Sequence, residues 1–268
     1  MRTSFASMAM ALGWAFLGAA QAQETYRVDV QPSDRIVCDW VEWTEEKATG
    51  SSATGPASEP LTEETRNTTI ITFRRDGPDL LVAEAYPEYP EDTLYLRFAA
   101  GGTLIAAAFD QNSLLDFAQA SREEPRPIDR EAYYAGLGIY EGIVHGREWS
   151  LGDPLHTESY LIAQAEAMAA PTGHALVSES NVVLVEARTN ADGSVALVFG
   201  GPMSFQSAPN TALPFRSSAA IQIRAVIDQQ SGRLIEVTET VSTSVGEGDG
   251  SVRSTWVLRG VCRPYPVQ

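Results

Sequence analysis

Polar and apolar residues alternate with a period of two along most of this 268-residue chain. That rhythm predicts strands with one buried face. Tyr26 to Val30 reads as a first strand and Arg35 to Trp43 as a second, with Ile36, Cys38 and Trp40 sharing a face. Thr69 to Arg74 and Leu80 to Tyr86 follow, joined by a turn at Arg75-Asp76-Gly77-Pro78. Leu94, Leu96 and Phe98 alternate with Thr93, Tyr95 and Arg97, and Gly101-Gly102 turns the chain into Thr103 to Phe109. The set predicts an antiparallel meander with one wet face.

The alternation fails in two places. Residues 44–66 carry no apolar rhythm and read as an exposed acidic loop. In the middle of the chain the period changes. Ser113 resembles a helix cap, Asp129 could cap a second helix through Tyr140, and a third begins near Thr157. In that third helix Leu161, Ala165, Met168 and Ala169 form one stripe before Pro171-Thr172-Gly173.

Strands then return. Ala175 to Arg188 and Ser194 to Phe199 flank the turn Asn190 to Gly193. Ile221, Ile223, Ala225 and Ile227 lie on one face, Ser231-Gly232 leads into Leu234 to Ser242, and Val252 to Val261 closes the series. About ten or eleven strands and two or three short helices predict a mainly β fold. Its expected form is one large curved antiparallel sheet (a half-barrel, β-spiral or near-closed barrel) around a helix.

The N-terminus adds a compartment. Arg2, an apolar stretch from Ala6 to Ala20 and Ala20-Gln21-Ala22 together read as a signal peptide over residues 1–22. The competing reading is a membrane anchor, but the apolar stretch is shorter than the roughly 20 residues a bilayer requires. No later stretch is long enough to span, so no integral membrane span is expected after signal removal. Residues 23–268 are then expected to form a single β-rich domain in the periplasm of a Gram-negative bacterium, or outside it.

Charge and cysteines refine this picture. The formal net charge of −16 disfavours nucleic acid and anionic lipid headgroups as partners. Cys38 and Cys262 are the only cysteines. In an exported chain they are expected to form a disulfide. Cys38 shares a face with Trp40, and Cys262 with Leu258 and Trp256, so both thiols point to an apolar side. Such a bridge closes a loop worth at most about 5 kcal/mol in chain entropy. Two free buried thiols are the rival reading. A catalytic thiol finds no CxxC partner or sequence-adjacent histidine.

No constellation specifies a reaction. G-x-S-x-G and S-x-x-K are absent, and the three histidines are His145, His156 and His174. His145 with Glu148 and Asp153 with His156 could contribute to a metal shell. The segment from Ile143 to Asp153 instead reads as a strand entering a turn, with two surface histidines. Gly246 to Gly250 fits a hairpin turn better than a phosphate loop. Among thirty-five acidic residues, spacing selects no glycosidase pair. Trp40, Trp43, Trp149 and Trp256 lie on strand-like segments and suit either a β core or a ligand groove. The sequence therefore assigns no catalytic, metal or cofactor-binding residue, and no cofactor is expected.

Three features carry a resemblance. They are the strand entry Gly146 to Asp153, the hairpin from Val226 through Asp228 and Gly232 to Leu234, and the end-to-end cysteine pair. In these the chain resembles bacterial periplasmic half-barrel and β-spiral proteins, including lipoprotein carriers of the LolA and LolB type and envelope-integrity β-spiral proteins. For the carriers, the resemblance implies an acyl chain held in the concave face. The expectation is a non-catalytic protein of envelope maintenance that binds a lipophilic ligand or a protein partner. The alternative is a hydrolase acting on envelope polymers. An outer-membrane barrel is also compatible with the strand number, but Pro264 to Gln268 lacks the terminal aromatic usual in such barrels.

Overall fold

The computed structural model describes residues 24–32, 35–48, 61–111, 138–169, 175–208, 216–246 and 252–266. The segment read as a signal peptide and the helices expected after Ser113 and Asp129 lie outside these residues, apart from Gly138, Ile139 and Tyr140 at the end of the second, where Gly138 and Ile139 are not helical and Tyr140 opens a separate short helix. The described elements run β1 (Tyr26–Val28), β2 (Arg35–Ala48), β3 (Leu61–Asp76), β4 (Asp79–Tyr86), β5 (Tyr89–Phe98) and β6 (Leu104–Ala108). Then come α1 (Tyr140–Val144), β7 (Arg147–Trp149) and α2 (Glu158–Ala169). The chain continues through β8 (Leu176–Ser180), β9 (Val183–Thr189), β10 (Val195–Ser207), β11 (Arg216–Asp228), β12 (Leu234–Gly246) and β13 (Val252–Pro264).

Eleven strands form one antiparallel sheet, in the order β6-β5-β4-β3-β2-β13-β12-β11-β10-β8, with β9 also on β10. Each half is a sequential antiparallel meander. The halves meet where the first strand of one meander pairs with the last strand of the other. Cys38 stands directly opposite Cys262 in that seam, and the two are disulfide-bonded with a Cα–Cα distance of 4.1 Å. Two positions along, the Trp40 ring lies over Gly260, where any Cβ would meet the ring. Arg35 stacks on the Tyr265 ring 4.4 Å away and extends the seam.

The sheet is not closed into a barrel. Residues 138–169 fill its inner face instead. At one end, the Gly101 N–H donates to the His145 carbonyl, Gly146 N–H to Val28, and β1 pairs with β7. On the other meander, the Leu155 N–H donates to Val182, and Leu184 N–H to Asp153. Tyr140, Ile143, Val144, Trp149 and Leu155 thus join Phe73, Leu96, Phe98, Leu184 and Phe199 in a single apolar cluster. Trp149 meets Phe199 edge-on at 4.8 Å. Burying a side chain of this size contributes about 1.5–3 kcal/mol.

Several local expectations are revised. Ile143 and Val144 are helical, and His145 caps that helix; the strand is confined to Arg147–Trp149. His145 and His156 are buried, 0% and 5% exposed, where surface positions were expected. The segment from Ala175 to Arg188 divides into β8 and β9, because both pair end to end with β10. The division lies where Gly201, at φ +146°, lets the Asn181 carbonyl approach closer than any Cβ would allow. Strands β2 and β3 also run further into the acidic segment than its lost rhythm suggests, to Ala48 and from Leu61. Their pairing there comes from the backbone ladder, from Glu46 opposite Leu61 onward, which needs no apolar face.

Candidate rim groove and acidic cluster

On the inner face, the two-residue period aligns Trp40 of β2, Asn67 and Thr69 of β3, Glu84 and Tyr86 of β4, and Glu239 of β12. Register confirms the placement: Trp40 lies opposite Asn67, Cys38 opposite Thr69, and Glu239 opposite both Leu258 and Ile223. Helix α1 adds Tyr140 and Glu141, and α2 adds Tyr160 and Gln164. These polar groups border the apolar core, where each must find a partner or shift its charge state.

The partners are specific. The Tyr140 phenol donates to Glu239 Oε1 at 2.5 Å. The Leu234 N–H donates to Glu141 Oε1 at 3.1 Å. Gln164 Nε2 donates to the Tyr160 hydroxyl at 3.0 Å, and Trp40 Nε1 donates to Thr69 Oγ1 at 3.0 Å. Thr69 in turn bonds Glu84 through its side chain.

Burial governs the protonation of this cluster. It raises the Glu141 carboxyl to about 7, opposed in part by backbone N–H donors and reinforced by the charge of Glu84. Burial also raises Glu84, which the Thr69 bond partly offsets, and Glu239, which Tyr140 partly offsets. Tyr140 is held well above its ordinary range by burial and by Glu239. Tyr160 shifts the same way, again through burial first. Near neutral pH Glu141 is therefore divided between its protonated and ionised forms.

A groove opens beside it. Strand β4 joins β3 only from Ile70 onward, whereas β2 pairs with β3 from Leu61. The β4–β5 tip, with Tyr86 opposite Tyr89, leaves a step in the sheet at this level. Among the described residues, no strand occupies the β4 side of residues 61–69. A groove of about 590 Å³ lies in the step, lined by Trp40, Val41, Arg66, Asn67, Thr68, Tyr86 and Tyr89, with Asp39, Pro87 and Glu88. Tyr86 and Tyr89 are 38% and 55% exposed. On the outer wall Asp39 pairs with Arg263 and accepts from Thr68 at 3.1 Å. The Arg263 bond holds the Asp39 carboxyl below its ordinary range against a smaller opposing effect of burial. Aromatic faces, exposed polar groups and a strand edge in one recess suit non-covalent recognition.

Among the described residues, His145 and His156 do not assemble a centre with each other. His145 Nδ1 accepts from the Val30 N–H at 3.3 Å, and its Nε2 faces the Pro78 carbonyl at 3.4 Å. His156 Nδ1 lies 2.9 Å from Ser180 Oγ, and its ring stacks on Tyr160 at 4.5 Å. Burial, with Arg147 nearby, lowers His156 to about 4 and keeps the imidazole neutral. Ser180 Oγ also accepts from the Val182 N–H at 3.2 Å, so the pair braces the bend between β8 and β9. Glu148 is directed to Arg27, at 3.9 Å, while Asp153 accepts from the Ser150 N–H at 2.7 Å. Among the described residues, no group of three or more His, Cys, Asp or Glu side chains is arranged to hold a metal ion. His174 lies outside the described residues.

The sequence did carry a signal for the acidic cluster. Glu239 falls in phase with Val237 and Val241, and Glu84 in phase with Leu80 and Val82. A carboxylate on the apolar phase of a strand marks a buried polar position. Glu141 has no such mark, because a five-residue helix has too little period to read.

No protein-family model matches the sequence, and no curated protein matches it. Among solved structures, the chain aligns with one of lipovitellin, concerned with lipid–protein interactions in that protein. The identity is 6% and the TM-score 0.37, over 90% of this chain and 26% of that one. It also aligns with Neisserial surface protein A at 7% identity and a TM-score of 0.13, over 86% of this chain and 97% of that one. Both TM-scores are too low for either likeness to bear on function.

Proposed function

We propose that this is a non-catalytic, extracytoplasmic protein that binds a protein partner in cell-envelope maintenance, through the step at the edge of β3. The observation that carries this reading is the coincidence of a strand edge at residues 61–69 with an aromatic groove of about 590 Å³. Such an edge offers backbone donors and acceptors to an incoming strand, and the flanking rings offer contacts to its side chains. The disulfide favours an oxidising compartment, as does the segment read as a signal peptide; the periplasm is our proposed location.

Acyl-chain carriage has less support, since the inner face is occupied by Tyr140, Ile143, Trp149 and Leu155 of the chain itself. Hydrolysis has less as well. Glu84 and Glu141 are buried and neither lines the groove, and His156 is paired with Ser180 and stacked on Tyr160.

Photo-crosslinking in intact cells tests the proposal. With a photoreactive residue at Thr68, the reading expects a discrete adduct that is absent from a control at Ser242 on β12. No adduct at Thr68, or the same adducts at both positions, would overturn it.

A further inference from the structure

We infer that the strand received at this step is β3 of a second copy of the chain, giving a two-fold edge-to-edge dimer. The inference rests on the reading of the β3 edge as a protein-binding site, and it names the partner. The stretch on the β4 side of β3 runs from Leu61 to Thr69 and is centred on Thr65. A two-fold antiparallel pairing keeps like faces together, so it must centre on a residue.

Centred on Thr65, the sequence is complementary to itself. Glu64 of each copy falls opposite Arg66 of the other, which gives two cross-strand ion pairs on the outer face. Glu63 falls opposite Asn67, and Thr62 opposite Thr68. Opposite charges in directly facing positions favour such a register, and like charges oppose it. A centre at Glu64 would set that residue against its own copy, and a centre at Arg66 would do the same. Within one chain Glu64 Oε1 meets Arg66 at 2.6 Å and Glu64 Oε2 accepts from Trp43 Nε1 at 3.3 Å, with the Arg66 and Glu64 side chains 74% and 42% exposed, so the pairing trades the Arg66–Glu64 contact within each chain for the same contact between chains. With Thr62 of one copy opposite Thr68 of the other, the incoming strand runs up to the level of Tyr86, the last residue of β4, which stands one position beyond the Ile70–Ala85 pair.

Nine-residue strands make a small interface, so the dimer is expected to be weak and concentration-dependent. Sedimentation equilibrium of the full chain purified from the periplasm tests this. The wild type is expected to approach twice the chain mass as its concentration rises through about 100 µM. Arg66→Glu and Glu64→Arg should each weaken association at least about tenfold. The exchange variant E64R/R66E should restore it to near wild type, with unchanged circular dichroism in all three. A wild type that stays monomeric throughout, or an exchange variant no better than the single variants, would overturn the inference. A monomeric chain that still yields a Thr68 adduct of another mass would overturn the dimer and leave the partner-binding reading standing. A monomeric chain with no adduct at Thr68 would remove both.

Discussion

The phenol of Tyr140 donates a 2.5 Å hydrogen bond to Glu239, 99 positions further along the chain. It joins α1 to the centre of β12 in the largely buried interior. Replacing Tyr140 with Phe keeps the ring but leaves the carboxyl without this donor. The expected loss is about 1–3 kcal/mol in urea unfolding at pH 7. The companion variant Y140F/E239L should recover part of it, because the buried polar group is then removed as well. A Tyr140→Phe variant as stable as wild type would show that the bond contributes nothing.

Glu141 makes stability depend on pH. Its folded carboxyl sits at about 7, above the ordinary 4.5, so the folded state holds a proton that the unfolded chain releases. The resulting stabilisation is fully present below about pH 4.5 and is lost as pH rises through about 7, up to roughly 3 kcal/mol. Glu141→Gln keeps an acceptor for the Leu234 N–H but cannot ionise. Urea unfolding at pH 5 and pH 8 should therefore show a fall in the wild type that shrinks by about 2–3 kcal/mol in the variant. Parallel falls in the two proteins would contradict this origin.

His156 acts in the opposite direction. Its imidazole is lowered to about 4 from an ordinary 6.5, so stability is lost as pH falls through that interval. Two effects of opposite slope thus meet between about pH 4.5 and 6.5. The comparison of Glu141→Gln with wild type isolates one of them, since His156 is common to both proteins.

Reducing the Cys38–Cys262 bond should cost stability without dismantling the seam. The two residues face each other within a continuous β2–β13 ladder that runs from Val252–Ala48 to Pro264–Ile36. The bond, spanning 224 positions, restricts mainly the unfolded chain. A loss of about 2–5 kcal/mol is expected for C38S/C262S in urea unfolding, with the far-ultraviolet circular dichroism retained. A variant lacking sheet signal under native conditions would show that the seam depends on the bond.

What could be read from the sequence followed burial. Ile36, Cys38 and Trp40 alternate cleanly because the inner face of β2 meets the core, and the same holds for Leu94, Leu96 and Phe98 of β5. The facing of the cysteines was legible for this reason. At Glu45, Glu46, Glu63 and Glu64 the strands continue through an acidic stretch with no apolar rhythm, and the backbone ladder leaves no trace in residue type. The step in the sheet that forms the groove was hidden with them. His145 was misread because Gly146 and Gly152 give its segment the look of a surface turn. Gly146 in fact brings the backbone against Ala100 and Gly101, which buries the imidazole behind it. The greater length of β3, which residue type does not show, makes Tyr86 and Tyr89 the wall of a recess.

Native mass spectrometry of the purified protein separates most sharply an inner sheet face filled by the chain itself, with the proposed partner at the β3 edge, from a cavity that carries a lipid. No stoichiometric lipid is expected, and every species should consist of the disulfide-bonded chain alone or of that chain with protein. A one-to-one complex with an acyl ligand that survives purification would contradict it, because such a ligand requires the space held by Tyr140, Ile143 and Trp149.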